Sequence, residues 1–209
     1  MPYDFKKDQK ELYQPKKAVL VDVPKMTFIM IDGTGNPNTS ETYKTAIEIL
    51  YGLSYSIKMS PKHNSAPAGY FDYAIPPLEG LWWLAGAKAI DFTDKNTYCW
   101  TAMIRQPHFV TQEVFEKSKA MLSKKKPDLN LSAARLEPLT EGLCAQMMHT
   151  GPYDDEPKTI EALAQFITEA GCRNDISDAR RHHEIYLNDP RKVAHDKIKT
   201  IIRLPVKRV

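Results

Sequence analysis

Apolar and β-branched residues run together over 26–31, where Thr27-Phe28-Ile29-Met30-Ile31 predicts a strand. The run ends in Asp32-Gly33-Thr34-Gly35-Asn36-Pro37-Asn38, a turn by composition. Thr39 or Ser40 then caps a helix whose apolar positions Tyr43, Ile47, Leu50 and Tyr51 recur at helical spacing. Pro61 and Pro67 mark a loop. Strands are expected over 70–75 and 97–105, and Pro76-Pro77-Leu78-Glu79-Gly80-Leu81-Trp82-Trp83 leads away from the first of them.

The second half follows the same order. Thr111 caps a connecting helix with Val114, Phe115, Met121 and Leu122 on one side, and Lys124-Lys125-Lys126-Pro127 stops it. A strand over 143–149 runs into Thr150-Gly151-Pro152-Tyr153. Pro157 suits the first turn of the next helix, with Asp154, Asp155 and Glu156 at its positive end. Ile160, Leu163, Ala164 and Ile167 form its buried stripe, and Gly171 caps it. Strands over 182–188 and 197–204 end at Asp189-Pro190 and Pro205. The echo of Ile104-Arg105-Gln106-Pro107 in Ile202-Arg203-Leu204-Pro205 supports a duplication. The expected fold is α+β: two β-α-β-β modules in pseudo-twofold duplication, over about 26–110 and 111–209, after an N-terminal extension of residues 1–25. Such modules leave a cleft between them, where ligand sites are favoured.

Composition narrows the function. Twenty-nine Lys and Arg against 26 Asp and Glu leave a charge of +3, too small a basic excess for a dedicated nucleic-acid binder. No run approaches ~20 apolar residues, so no membrane span is expected. Met1-Pro2-Tyr3-Asp4-Phe5-Lys6-Lys7-Asp8 lacks the apolar core of a secretory signal. The spacing of Cys99, Cys144 and Cys172 fits neither a zinc knuckle nor a disulfide framework, so reduced thiols in a cytoplasm are expected.

Several familiar chemistries drop out. Gly33-Thr34-Gly35-Asn36-Pro37 lacks the third Gly and the Lys-Ser/Thr of phosphate loops. There is no Gly-x-Ser-x-Gly elbow. His182-His183-Glu184 lacks helical zinc spacing, and on a strand His182, Glu184, Tyr186 and Asn188 share one face while His183, Ile185 and Leu187 share the other. No metal is expected. Glu184 has two readings: a salt bridge to Arg105 or Arg203, or a carboxylate at the floor of an aromatic cleft. Tyr70, Phe71, Tyr73, Trp82, Trp83, Tyr98 and Trp100 cluster in the first half. Flat aromatic walls suit a planar, apolar or cationic ligand.

Longer segments carry a resemblance. They are Tyr51-Gly52-Leu53-Ser54-Tyr55-Ser56-Ile57-Lys58, Pro77-Leu78-Glu79-Gly80-Leu81-Trp82-Trp83 and Trp100-Thr101-Ala102-Met103-Ile104-Arg105-Gln106-Pro107. To these add His149-Thr150-Gly151-Pro152-Tyr153, His182-His183-Glu184-Ile185-Tyr186-Leu187-Asn188-Asp189-Pro190 and Lys199-Thr200-Ile201-Ile202-Arg203. Together they resemble the GyrI-like small-molecule-binding family, and within it the stand-alone bacterial members. The resemblance implies two β-α-β-β modules around an aromatic cleft with one buried acidic residue, whose position Glu184 matches. Relatives of the BmrR and Rob type, fused to helix-turn-helix domains, are transcription regulators; here fewer than 30 residues precede the matched region, so direct DNA binding is not expected.

The nearest subgroup hydrolyses cyclopropane-bearing DNA-alkylating natural products. By this resemblance Glu184 orients and deprotonates a water, and Tyr55 or Tyr153 donates to the ligand carbonyl. Trp82, Trp100, Tyr70, Tyr98, His149 and Tyr186 form the ligand-binding set. The partner is a small lipophilic or planar aromatic ligand, and no cofactor is called for. The alternatives are a non-catalytic sink or sensor for lipophilic cations and a protein that protects gyrase by contact.

Overall fold

The structure is a computed structural model and describes residues 1–85 and 94–209. Two short helices, α1 (Phe5–Asp8) and α2 (Lys10–Tyr13), precede strands β1 (Val19–Val23) and β2 (Met26–Thr34). Then come α3 (Glu41–Lys58), β3 (Leu78–Leu84), β4 (Tyr98–Gln106), α4 (Gln112–Lys125), β5 (Arg135–Leu139) and β6 (Gly142–Thr150). The chain continues through α5 (Glu156–Glu169), β7 (Cys172–Asn174), β8 (His182–Tyr186) and β9 (Lys199–Arg208). Among the described residues no helix is long and apolar enough to cross a membrane.

The strands form one antiparallel sheet in the order β1-β6-β9-β8-β3-β4-β2-β5, with β7 also pairing with β9. The order is symmetric about the β3–β8 pair. Reading outward, β4 matches β9, β2 matches β6, and β5 matches β1. The β-α-β-β repeat is therefore present as β2-α3-β3-β4 and β6-α5-β8-β9. The sequence did not disclose that the strand before each module crosses to the other one. β1 pairs with β6, and β5 pairs with β2.

Local chemistry sets the helix ends. The Ser40 side chain accepts the Tyr43 amide at the start of α3, and Thr111 accepts the Val114 amide at the start of α4. On α3, Tyr43, Ala46, Ile49, Leu50, Leu53 and Ile57 are buried at helical spacing, whereas Ile47 and Tyr51 are only half-buried. On α5, Leu163 and Ile167 are buried and Ala164 is exposed. Gly171 has φ +66°, the left-handed conformation that a helix C-terminus favours in glycine.

Two expectations are corrected. Residues 70–75 form no ladder beyond a bridge between Tyr3 and Tyr73. Their alternating aromatics pack instead with Phe5 and Phe109, for example Tyr70 at 5.3 Å from Phe109 between ring centroids. Nor does Pro205 end the last strand. Its carbonyl accepts the Asp175 amide, so its ring nitrogen faces the gap between the end of β7 and the start of β8. No ladder bond to β6 is lost there.

Register divides the sheet faces. Gly80, Trp82, Trp100, His182, Glu184, Thr200 and Ile202 lie on one face, under α3 and α5. The other face carries Glu79, His183, Gln146 and Arg203, and the first residues of the chain cover it. Residues 1–25 thus supply an edge strand and a buried cover. The Arg203 guanidinium donates to Gln146 Oε1 (2.9 Å), Glu141 Oε2 (2.8 Å) and the Leu12 carbonyl (3.0 Å). His183 sits between Glu141 (2.9 Å) and Glu79 (3.0 Å).

Burial pulls His183 towards its neutral form, but Glu141 and Glu79 outweigh it and raise its pKa to about 9. The native state then holds a proton that the unfolded chain releases above about pH 6.5. Its contribution is complete below about pH 6.5 and disappears as pH rises through about 9. Wild-type stability is expected to fall by roughly 3 kcal/mol over that interval from this residue. Urea unfolding at several pH values checks this: His183→Gln should show a flatter profile.

Candidate functional site

Glu184 lies at the centre of the sheet, opposite Gly80 on β3 and Ile202 on β9. It is 8% exposed. Its hydrogen-bond partners among the described residues are on its own strand, two residues to either side: His182 Nε2 at 3.0 Å from Oε1, and the Tyr186 hydroxyl at 2.7 Å from Oε2. Alternation along β8 puts all three side chains on one face. Neither arginine considered as a salt-bridge partner is there. Arg203 is held by Glu141 on the opposite face, and Arg105 donates to Gln9 and Tyr13.

The bonds have a fixed direction. Trp82 Nε1 donates to the Tyr186 hydroxyl at 2.9 Å. An indole nitrogen is only a donor, so the tyrosine oxygen accepts and its single proton points to Glu184. Burial, followed by the nearby charge of Glu184, pushes the Tyr186 pKa well above its ordinary value. Glu184 Oε2 is therefore an acceptor at the end of a Trp82-Tyr186-Glu184 chain.

Aromatic rings wall this chain. Tyr43 descends from α3 and meets Trp100 edge-on at 4.8 Å and Trp82 at 5.9 Å. Trp82 also packs against Tyr98 at 5.9 Å. Trp100 is 1% exposed because Gly33 on the neighbouring strand makes room; a Cβ there would fall 2.2 Å from its ring. Gly80 does the same for Trp82. Its Cβ would lie 2.7 Å from the indole nitrogen and 3.2 Å from the Tyr186 oxygen. Gly80→Ala is expected to cost about 1–3 kcal/mol by overpacking and to break the Trp82–Tyr186 bond. A lowered thermal midpoint with altered tryptophan fluorescence would record both effects.

The second module brings Tyr153 and Glu156. Tyr153 meets Tyr186 edge-on at 6.0 Å. Burial and then the charges of Glu156 and Glu184 raise its pKa to about 12, so it keeps its proton. Glu156 opens α5, is 3% exposed, and its Oε1 makes no hydrogen bond among the described residues. Burial and then Glu184 raise its pKa to about 9, opposed by the Thr200 hydroxyl. The positive end of α5 favours an anion by only about 0.3–1 kcal/mol, too little to reverse this.

His149 fixes the turn that carries both residues. Its Nε2 donates to the Pro152 carbonyl at 3.0 Å, which leaves Nδ1 to accept the Thr159 hydroxyl at 2.8 Å. Gly151, at φ +135°, lets the chain leave β6 at this point.

Of the residues the sequence singles out, Glu184, Tyr186, Trp82, Trp100, Tyr98 and Tyr153 come together. His149 lies behind the turn and touches the site through it. Tyr55 is 52% exposed on the outer side of α3, beside Tyr51. Tyr70 bonds the Lys58 carbonyl and packs on Phe109, in the aromatic cluster of the 70–75 loop. Sequence reasoning missed Tyr43, His182 and Glu156 as members. Tyr43 counted as a helix core position and Glu156 as a helix-end charge, and only the tertiary fold separates those roles from a place at the site. Among the described residues no group of three or more His, Cys, Asp or Glu is placed to hold a metal ion.

A family model described as a GyrI-like small molecule binding domain matches residues 17–207. No curated protein matches the chain. Among solved structures, an uncharacterized conserved protein from Listeria innocua is 47% identical, with TM-score 0.93, covering 98% of this chain and all of that one. A hydrolase from Listeria innocua is 45% identical, with TM-score 0.89 and coverage of 98% and 100%. The C-terminal domain of EcmrR shares the fold at 13% identity, with TM-score 0.54 and coverage of 92% and 98%.

Proposed function

We propose, from the premise that this chain belongs to the GyrI-like small-molecule-binding domain family, that it hydrolyses small planar ligands bearing an activated cyclopropane. One observation carries the reading: a buried carboxylate whose ligands are a tyrosine hydroxyl and an imidazole rather than a fixed cation. A carboxylate offers about four lone-pair sites. His182 and Tyr186 occupy one on each oxygen, which leaves acceptor capacity for a water. The name hydrolase borne by a relative at 45% identity supports chemistry as well as binding.

In this reading the ligand packs against the Trp82 and Tyr43 rings, with the buried Trp100 backing Tyr43. Glu184 orients a water and takes its proton as the oxygen attacks the strained ring, within the reach a general base requires. The ring carbon–carbon bond breaks, and its electron pair flows to the ligand's conjugated carbonyl. Tyr153 is the better placed of the two candidate tyrosines to donate to that oxygen, because it contacts Tyr186 and retains its proton. Ring strain supplies much of the driving force, so modest catalytic machinery suffices.

The test is incubation of the purified protein with a duocarmycin-type cyclopropane compound, followed by absorbance and mass spectrometry. A product heavier by one water, formed over many turnovers, is expected. Recovery of intact ligand would overturn the reading.

A further inference from the structure

We infer that Glu156 is the proton donor of this site, an undissociated carboxylic acid that passes its proton to the ligand's carbonyl oxygen as the ring opens. The inference rests on the hydrolase reading and completes its proton balance. Glu184 removes one proton from water while the ligand oxygen gains negative charge. That oxygen ends as a neutral hydroxyl only if an acid supplies the second proton.

Geometry places Glu156 for the task. It stands on the first turn of α5, next to the turn bearing Tyr153. Thr200, whose hydroxyl lies beside its carboxyl group, is directly opposite Tyr186 across the β8–β9 ladder. Glu156 thus stands one cross-strand pair away from the Glu184 chain. Its Oε1 is buried without a hydrogen bond among the described residues. An unmatched buried oxygen lowers stability and serves only if something arriving at the site uses it.

A carboxyl group held protonated next to one that serves as hydrogen-bond acceptor divides acid and base roles with it. Burial, and then the negative charge of Glu184, favours the protonated form of Glu156. The other groups that face it are Tyr153 and Tyr186, Lys95, and Asp154, with Lys95 ion-paired to Asp154 at 2.7 Å. After turnover Glu184 holds the proton from water and Glu156 is ionised. Proton exchange with solvent restores both.

The inference is tested by steady-state kinetics of wild type and Glu156→Gln with the duocarmycin-type compound, from about pH 6 to 10. Glutamine keeps the shape and a hydrogen-bond donor but has no proton to give. The expected result is a kcat lowered about 10- to 100-fold with KM within about twofold. The wild-type profile should have an alkaline limb near pH 9 that the variant lacks. An unchanged kcat, or an alkaline limb that persists in the variant, would overturn the acid role while leaving Glu184 as base.

An infrared difference spectrum at neutral pH gives a readout independent of turnover. Wild type should show the carbonyl band of a protonated carboxylic acid that Glu156→Gln removes. Absence of that band overturns the inference directly. Failure of the wild type to turn over the compound overturns the hydrolase reading and the donor role with it.

Discussion

Glu184→Gln is expected to lower kcat by about 10²- to 10⁴-fold while leaving the protein folded and able to bind a neutral planar ligand. The substitution is unusually clean at this position. The amide oxygen can accept the Tyr186 hydroxyl in place of Oε2. The amide nitrogen can donate to His182 Nε2 once that ring moves its proton to Nδ1. The Trp82-Tyr186 bond survives, and the thermal midpoint should hold within a few degrees. Only basicity is lost, so the expected barrier increase is roughly 3–5 kcal/mol. Parallel assays of turnover and ligand binding check it. Normal turnover by the variant would remove Glu184 from the chemistry. A wild type that binds a lipophilic cation without turnover, and a variant that no longer does, would favour the sink or sensor.

The largest expected loss of stability lies on the opposite face. Arg203 is 1% exposed and satisfies Gln146, Glu141 and the Leu12 carbonyl at once. Arg203→Ala strips all three acceptors in a place water does not reach. Removing one member of a buried ion pair costs about 3–5 kcal/mol, a large share of the ~5–15 kcal/mol that holds a domain together. The expected result is a strongly reduced urea midpoint and faster proteolysis near residues 9–14, whose cover the arginine anchors. A double variant, Arg203→Met with Glu141→Leu, should recover part of the loss, because the remaining charge goes with its partner. Unchanged midpoints in Arg203→Ala would show that the network contributes little.

The repeat was legible because it was written in local signals. The Gly turns after β2 and β6, the Thr111 cap and Pro157 each act within a few residues of their own position. The expected strand at 70–75 failed for the opposite reason. Tyr70, Phe71 and Tyr73 satisfy a two-residue pattern, yet their partners are Tyr3, Phe5 and Phe109, and that aromatic cluster uses a loop. Glu184 could be singled out because a carboxylate within an apolar strand is costly wherever it lies. Glu156 follows Asp154 and Asp155, where a third acidic residue looks like ordinary helix-end charge. Its distinction comes from burial and from Glu184, twenty-eight residues further on. The crossing of β1 and β5 has no local signature.

That crossing governs how the protein is made. As the chain leaves the ribosome, β2, β3 and β4 have one another, but the free side of β2 waits for β5 and that of β3 waits for β8. β1, translated early, has no partner until β6 follows. β9 is an interior strand, seated between β6 and β8, and is translated after both. The sheet therefore closes only after translation of 199–208, and until then the nascent chain carries open apolar edges of the kind that seed aggregation. Contacts so distant in sequence also make for slow folding. Yield of this protein is therefore expected to depend on how long those edges stay exposed, as well as on the stability of the finished sheet.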